Sequence, residues 1–332
     1  MGGLALLVVL AGVVLSASLA VGFGNCNDKD GRLETNFTKA TGLDRFKLAV
    51  NQTNFFQQLL DDMMMDPTND DDDDDDTNNA AAATYTIWAP LDASFENNKV
   101  VYVGGDDIFV KHLQVLLWNQ VTRNNLFATD LRGNQSIVMA SGNTYQASPT
   151  SISPVAIGSG VITQPDLVTP EGFVVHAMDG FLEADFLHKD GIQVALENNL
   201  TEIVDWVQRA GFGLFLVSVA DFTVFLPNNQ AMEAVDADTE AYVFSNPSLL
   251  LDTMTGHIVA SVDSLYYSDI FTEGDALPAV AGDPLVIGVS PDGRQATVSK
   301  GGMTANIVQT DLLPYNGVMH VIDKFFLPPV PS

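Results

Sequence analysis

The chain of 332 residues carries 14 Lys and Arg against 42 Asp and Glu, a formal net charge of −28 at pH 7. Such a chain repels nucleic-acid phosphates and anionic membrane surfaces, so we expect neither as a partner. Hydrophobic residues make up 46% of the chain, which suffices for packed cores and excludes global disorder. The length predicts about two domains.

The amino-terminal segment is almost wholly apolar from Leu4 to Phe23. The small residues Ser18 and Ala20 fit a signal-peptidase site, so we predict that residues 1–20 are a signal peptide and that the chain is secreted. About 20 apolar residues are also enough to span a bilayer, so an uncleaved membrane anchor is the alternative. Residues 21–43 are predicted to form a polar leader.

A repeated pattern organises the rest of the chain. The runs Tyr85–Pro90 and Phe222–Pro227 are rich in aromatic and β-branched residues and stop at a proline, which predicts two strands. The runs Gly172–Asp179 and Gly317–Asp323 share a pattern of two apolar residues, His, two apolar residues and Asp. Their apolar character on both faces predicts central strands of a sheet.

Each repeat opens with an amphipathic stretch, Phe46–Met64 in the first copy and Ile192–Val207 in the second. The first copy is longer between this stretch and its proline-terminated strand, and the excess matches an acidic run with its flanks. We therefore predict a domain at residues 44–188 with a loop insertion at residues 66–79. The second domain is predicted at residues 189–330.

These repeated blocks resemble the fasciclin domain family. Thr86–Phe95 and Thr223–Met232 match the first block of the family, and Asn316–Asp323 is close to the second block, of which Glu171–Asp179 is a looser copy. The resemblance implies an α+β fold of two tandem fasciclin-like domains, each a twisted β-wedge of two sheets flanked by helices. It also implies adhesion or extracellular-matrix function through extracellular proteins or cell-surface receptors, with glycans and self-association as further partner classes.

The family also has a Tyr-His pair between its two blocks. His257 fits the second member of this pair, but Gly256 stands in place of the tyrosine. In the first repeat Asn119 and Gln120 stand there instead, so we expect the element to be absent from that repeat.

In the family, an Asp-Ile type dipeptide just before the second block is associated with receptor binding. The matching dipeptides here contain leucine in place of isoleucine. With the histidine of the Tyr-His position, the resemblance implies these binding residues: Asp311, Leu312, Leu313, His257, Asp166 and Leu167. A surface aspartate that begins a strand is the structural alternative. The strand histidines, His176 and His320, are expected to be hydrogen-bonded core residues.

The sequence contains no recognised catalytic motif, so we predict no enzyme activity, no cofactor and no specific metal site. A second candidate function is an acidic matrix protein that interacts with cations or mineral. Its effector would be diffuse binding by the carboxylates Asp70, Asp71, Asp72, Asp73, Asp74, Asp75 and Asp76. A solvated flexible loop is the alternative for this run.

The chain has four Asn-x-Ser/Thr sequons, which agree with a secretory route and predict N-glycosylation at Asn36, Asn51, Asn134 and Asn199. It has one cysteine, Cys26, so no internal disulfide can hold its domains together. We therefore expect the fold to depend on packing alone.

Overall fold

A computed structural model describes residues 36–64, 85–97, 109–149, 155–218, 221–260 and 265–327. The predicted signal peptide at residues 1–20, Cys26 and the predicted insertion at residues 66–79 lie outside these ranges. The described residues all belong to one compact unit, Thr35–Ser332. Within these ranges, no helix is both long and apolar enough to cross a membrane.

The first half of this unit contains five helices and seven strands among its described residues. The helices are α1 (Asn36–Lys39), α2 (Asp44–Gln52), α3 (Phe55–Met64), α4 (Asp92–Asn97) and α5 (Val110–Trp118). The strands are β1 (Thr86–Pro90), β2 (Val121–Thr122), β3 (Gln135–Val138), β4 (Thr144–Pro149), β5 (Val155–Ile157), β6 (Gly160–Val168) and β7 (Val174–Asp179). A 3₁₀ turn, Asp185–His188, leads into the second half.

The second half repeats this arrangement, with six helices and seven strands among its described residues. The helices are α6 (Gly191–Glu197), α7 (Thr201–Arg209), α8 (Gly213–Ser218), α9 (Asn229–Glu233), α10 (Ala237–Ser245) and α11 (Pro247–Thr255). The strands are β8 (Phe222–Pro227), β9 (Ile258–Val259), β10 (Ala276–Leu277), β11 (Leu285–Val289), β12 (Ala296–Lys300), β13 (Met303–Leu312) and β14 (Gly317–Ile322). A 3₁₀ turn, Ser268–Ile270, follows β9.

Each predicted amphipathic stretch is broken into two helices at an asparagine. Asn54 separates α2 from α3 with φ 53°, and Asn199 separates α6 from α7 with φ 58°. Asparagine tolerates this left-handed conformation because its short polar side chain can form local hydrogen bonds. The chain therefore turns at these points, and each predicted stretch forms a pair of helices instead of one long helix.

The two halves contain seven-stranded sheets with the same topology. The strand orders are β2-β1-β7-β6-β5-β4-β3 and β10-β11-β12-β13-β14-β8-β9. In each sheet the two predicted signature strands are parallel neighbours, β1 beside β7 and β8 beside β14, and every other pair is antiparallel. The predicted α+β fold of two tandem repeats is confirmed.

The central strands are buried on both faces, as their composition predicts. In β1, Ile87 packs into a core beneath the helices, while Trp88 packs into a second core on the opposite face of the sheet. The same division separates Val224 from Phe225 in β8. Each sheet therefore has one core on the face that the helices cover and a second core on the opposite face, where the sheet folds over on itself.

The two sheets implied for each wedge are two arms of one continuous sheet. In the second half, β13 pairs with β12 through residues 303–306 and with β14 through residues 307–312. Register shifts between Ile307 and Leu312 mark bulges in this long strand. Bulges bend a strand and increase its twist, which gives the sheet its wedge shape.

Polar side chains stabilise the amino-terminal ends of two helices. Asn228 is the N-cap of α9, and its side chain accepts a hydrogen bond from the Ala231 N–H. Asp92 is the first residue of α4. Its carboxylate accepts the Arg45 N–H at 2.8 Å, which ties α4 to α2.

Candidate functional site

A groove of about 340 Å³ lies between the two halves, and both halves contribute to its walls. Its lining combines side-chain amides, two carboxylates and an ammonium group with an apolar floor. The lining residues are Val115, Asn119, Ser141, Asn143, Ala184, Phe186, Lys189, Val194, Glu197, Asn198, Asp311, Leu312 and Leu313. We call this site the inter-half groove. Three of the residues predicted for binding lie in it.

The strand end Asp311–Leu313 joins the cores of the two halves. Leu312 packs against the helical core of the second half, whereas Leu313 packs against that of the first half. The first-half core also includes Tyr267 and Val318 from the second half. Because the halves share this apolar contact, the groove has walls held in a fixed relation to each other.

The carboxylate of Asp311 is held by hydrogen bonds from both halves. It accepts the Ser268 N–H at 2.9 Å and the Ser268 hydroxyl, and Lys111 from the first half lies 3.0 Å away. Burial raises the pKa of Asp311, but the Ser268 hydrogen bonds and the nearby Lys111 charge outweigh it, so the pKa lies below its ordinary value. Asp311 is therefore ionised at neutral pH, with its side chain 18% exposed.

Helix α5 docks on the second half through a charged and a neutral side chain. Lys111 Nζ also lies 3.3 Å from Asp269 and above the ring of Tyr267. His112 is fully buried, with Nδ1 2.8 Å from the Tyr267 hydroxyl and Nε2 2.9 Å from the Pro314 carbonyl oxygen. A carbonyl only accepts, so Nε2 carries the proton and Nδ1 accepts from the tyrosine hydroxyl.

Burial lowers the pKa of His112 to about 4, so its ring is neutral at pH 7. This neutral ring closes the interface between the halves without introducing a buried charge. Sequence reasoning did not single out His112, because its partners Tyr267 and Pro314 are 155 and 202 residues away along the chain.

The strand histidines fix the unusual backbone of the predicted aspartates. Asp311 has φ 56°, and its N–H donates to Nδ1 of His320 at 3.3 Å. Nε2 of His320 donates to the Tyr266 carbonyl oxygen at 2.7 Å. Burial lowers the pKa of His320 to about 4. The expected hydrogen-bonded core histidine is present, and it holds Asp311 in a left-handed conformation.

Asp166 occupies the same position in the first half. Its φ is 55°, its N–H donates to Nδ1 of His176 at 3.2 Å, and its carboxylate accepts the Ala128 N–H at 2.8 Å. Burial lowers the pKa of His176. Asp166 is more exposed than Asp311, at 40% for the side chain, and Leu167 packs against the first-half core. Neither residue lines the inter-half groove.

His257 lies away from the groove, in the core of the second half, and is 3% exposed. Its Nδ1 donates to the Thr253 carbonyl oxygen at 2.9 Å, and its Nε2 accepts the Phe326 N–H at 3.1 Å. Burial lowers the pKa of His257 to about 4. It borders an apolar cavity of about 30 Å³, which is room for only a water-sized molecule. Its predicted role in binding stays a prediction.

Gln120 makes hydrogen bonds in the first half that correspond to those of His257 in the second half. Its Nε2 donates to the Leu116 carbonyl oxygen one helical turn earlier, and its Oε1 accepts the Leu182 N–H at 3.1 Å. Although the histidine is missing there, its hydrogen-bonding function is retained. The shared signal in the sequence is the distance of 30 residues from the proline that ends each signature strand.

Asn119 organises the polar wall of the inter-half groove and was missed as a site residue. It is 1% exposed, and its Nδ2 donates to the Leu182 carbonyl oxygen at 2.8 Å. Its Oδ1 accepts from the Ser141 hydroxyl at 2.7 Å and from Asn143 Nδ2 at 2.8 Å. The β3–β4 turn is thereby fixed against α5, which makes this wall rigid.

The remaining predicted sites are the four sequons, the aspartate run and the metal sites. All four sequon asparagines are exposed, and they are Asn36, Asn51, Asn134 and Asn199. Their glycosylation stays a prediction. The Asp70–Asp76 run lies outside the described residues. Within the described ranges, no group of three or more His, Cys, Asp or Glu could hold a metal ion.

The family model for the fasciclin domain matches residues 198–328, which contain all the strands of the second sheet. The second half of the chain is similar to the fasciclin domain. The matched region includes His257, His320 and the Asp311–Leu313 wall of the groove. The fold described above repeats the architecture of this matched region in the first half.

Relatives of this chain come from distant organisms. A fasciclin-like arabinogalactan protein of Cercospora beticola is 26% identical over 249 residues, which are 73% of this chain and 58% of the relative. The transforming growth factor-beta-induced protein ig-h3 of Sus scrofa is 25% identical over 176 residues, 48% of this chain and 25% of the relative. The chain thus spans less than two thirds of either relative.

One solved structure that matches this chain is a FAS1 domain pair from the insect cell adhesion molecule fasciclin I. The match covers 86% of this chain and 97% of that one, with 14% sequence identity and a TM-score of 0.37.

Proposed function

We propose that this protein is an adhesion or extracellular-matrix protein that binds a segment of another extracellular protein in the inter-half groove. The observation that carries this proposal is that both halves build the groove and are locked together around it by Lys111, His112 and the shared core. Ligand sites are concave, largely preformed and lined by apolar groups with a few oriented polar groups, as this groove is.

The groove suits a protein segment better than a charged small molecule. Its charges are already paired, because Lys189 lies 2.8 Å from Glu197 and Lys111 neutralises Asp311. The exposed side chain of Val115, at 40%, extends the apolar floor to the rim. A partner therefore gains mainly from apolar burial and from hydrogen bonds to amide groups.

The proposed setting is extracellular. We propose that residues 1–20 direct secretion, with an uncleaved anchor as the alternative, and that the sequons at Asn51, Asn134 and Asn199 carry glycans. The amide of Asn36 is instead engaged by the Asp166 carbonyl oxygen and the Val168 N–H. The partners are extracellular proteins or cell-surface receptors, with glycans and a second copy of the chain as further classes. We propose no catalytic activity, in keeping with the absence of catalytic motifs from the sequence.

The test is adhesion of cells or matrix extract to immobilised protein carrying Val115→Arg, which fills the mouth of the groove. Val286→Arg is the matched control, because Val286 is 36% exposed and is not a lining residue of the groove. We expect adhesion to fall at least tenfold for the groove variant and to stay unchanged for the control. Equal adhesion of both variants and the unmodified protein would overturn the proposal.

A further inference from the structure

The first half of the protein contains a side-chain amide bound to the open edge of a strand. Asn36 Nδ2 donates to the Asp166 carbonyl oxygen at 3.2 Å, and Asn36 Oδ1 accepts the Val168 N–H at 2.6 Å. Between these two residues, Leu167 pairs with Val175 of the neighbouring strand. The carboxamide therefore supplies the two hydrogen bonds that a further strand would make at this edge.

The second half repeats this strand edge in detail. Asp311 has φ 56° where Asp166 has φ 55°, and both donate their backbone N–H to the histidine of the adjacent strand. Leu312 pairs with Met319 as Leu167 pairs with Val175. By this correspondence, the Asp311 carbonyl oxygen and the Leu313 N–H project outward as the equivalent pair.

No amide occupies this second edge within the described part of the chain. The Leu313 N–H has no hydrogen-bond partner there, and by the correspondence with Asp166 the Asp311 carbonyl oxygen points away from β14. The linker between the halves pairs just beyond this point, where the Tyr315 N–H donates to the Lys189 carbonyl oxygen at 2.9 Å. Asp311 and Leu313 both line the inter-half groove, so the open pair faces a space large enough for a ligand.

We propose that the inter-half groove recognises a primary carboxamide, the side chain of an asparagine or glutamine in an extended segment of the bound partner. This inference rests on the proposed function and names the chemistry of its ligand. The carboxamide oxygen accepts the Leu313 N–H, and its NH₂ group donates to the Asp311 carbonyl oxygen, as Asn36 does in the first half. A carboxylate has no proton to donate and cannot make the second bond.

The neighbouring edge gives the bound segment room to continue. From Ile307 onward, β13 has no strand on its outer side among the described residues. Val308 is 53% exposed there, and Gln309 and Thr310 are also exposed. An extended segment anchored by its carboxamide at Leu313 can therefore add backbone hydrogen bonds along this edge, as in strand addition.

The direct test uses isotope-labelled full-length protein and two capped tripeptides, acetyl-Gly-Asn-Gly-N-methylamide and acetyl-Gly-Asp-Gly-N-methylamide, so that the asparagine side chain is the only primary carboxamide in either peptide. We expect the asparagine peptide to shift the backbone amide resonance of Leu313 saturably at millimolar concentration, because two hydrogen bonds give weak binding. The aspartate peptide should leave it in place. No shift at Leu313, or equal shifts with both peptides, would overturn the inference.

A pair of variants separates this inference from the proposed function. Leu313→Pro removes the amide donor, whereas Leu313→Ala retains it. We expect Leu313→Pro to lose the peptide response and at least fivefold of the adhesion, whereas Leu313→Ala, which keeps the donor, should retain the peptide response. If Val115→Arg abolishes adhesion but Leu313→Pro, verified as folded by its amide spectrum, adheres normally, the groove function stands and carboxamide recognition fails.

Discussion

Acidification should destabilise this protein through the interface histidine, His112. In the folded chain its pKa lies at about 4 against an ordinary value of 6.5, because the ring is buried. Between these two pH values the unfolded chain binds a proton that the folded chain does not. The stability from the neutral ring is complete above pH 6.5 and is lost as the pH falls toward 4.

The magnitude follows from the same two values. The difference corresponds to about 3 kcal/mol of folding free energy for one histidine at full protonation of the unfolded state. Near pH 5, each such histidine contributes about 1 kcal/mol per pH unit to the slope of stability against pH. His257 and His320 have the same value of about 4, and burial also lowers the pKa of His176, so His112 accounts for only part of the histidine slope.

The perturbation that isolates His112 is His112→Gln, because Gln120 already replaces a buried histidine in this fold. Urea unfolding followed by tryptophan fluorescence, between about pH 7.5 and pH 4.5, gives stability against pH for the variant and the unmodified protein. His188→Gln is the control, since His188 is exposed. We expect the stability gap between His112→Gln and the unmodified protein to narrow by about 1 kcal/mol per pH unit below pH 6. A gap that does not change with pH would refute the reasoning.

Three further predictions concern the site and its frame. Asp311→Ala should lower the free energy of unfolding by about 2–3 kcal/mol, because Lys111 and the Ser268 groups lose a partly buried acceptor. Asp166→Ala should lower it by less, and chemical denaturation measures both effects. Gly317→Ala should lower the melting temperature by several degrees, since an added Cβ would lie 2.6 Å from the Phe222 carbonyl oxygen. Deletion of Asp70–Asp76 should abolish calcium or mineral binding, if calorimetry detects it in the intact protein, and should leave adhesion unchanged.

The sequence predicted the parts of the fold that depend on neighbouring residues. Aromatic and β-branched runs that stop at a proline became central strands because such side chains fill both faces of a buried strand. The repeat also located the strand histidines and the paired aspartates. These features are local, so spacing and composition were enough to find them.

Only some residues of the candidate site could be predicted from the sequence, because the site depends on how the two halves of the chain dock. Asp311 and Leu312 came from the resemblance, but the ion pair with Lys111 joins residues 200 positions apart. Asn119 stands where the family has its Tyr-His pair, and nothing in the sequence indicated that its buried amide fixes one wall of the groove. A single sequence gives no signal for contacts between surfaces that meet only after each half has folded.

The docking of α5 on the second half has a mechanical consequence. In the proposed adhesive role the chain is pulled along its length, and a short linker alone would let its two halves swing apart under load. Here Lys111 and His112 form a second attachment that shares the force with the linker. We therefore expect the inter-half groove to keep its shape under tension, so that a bound partner is released by breaking its own contacts first.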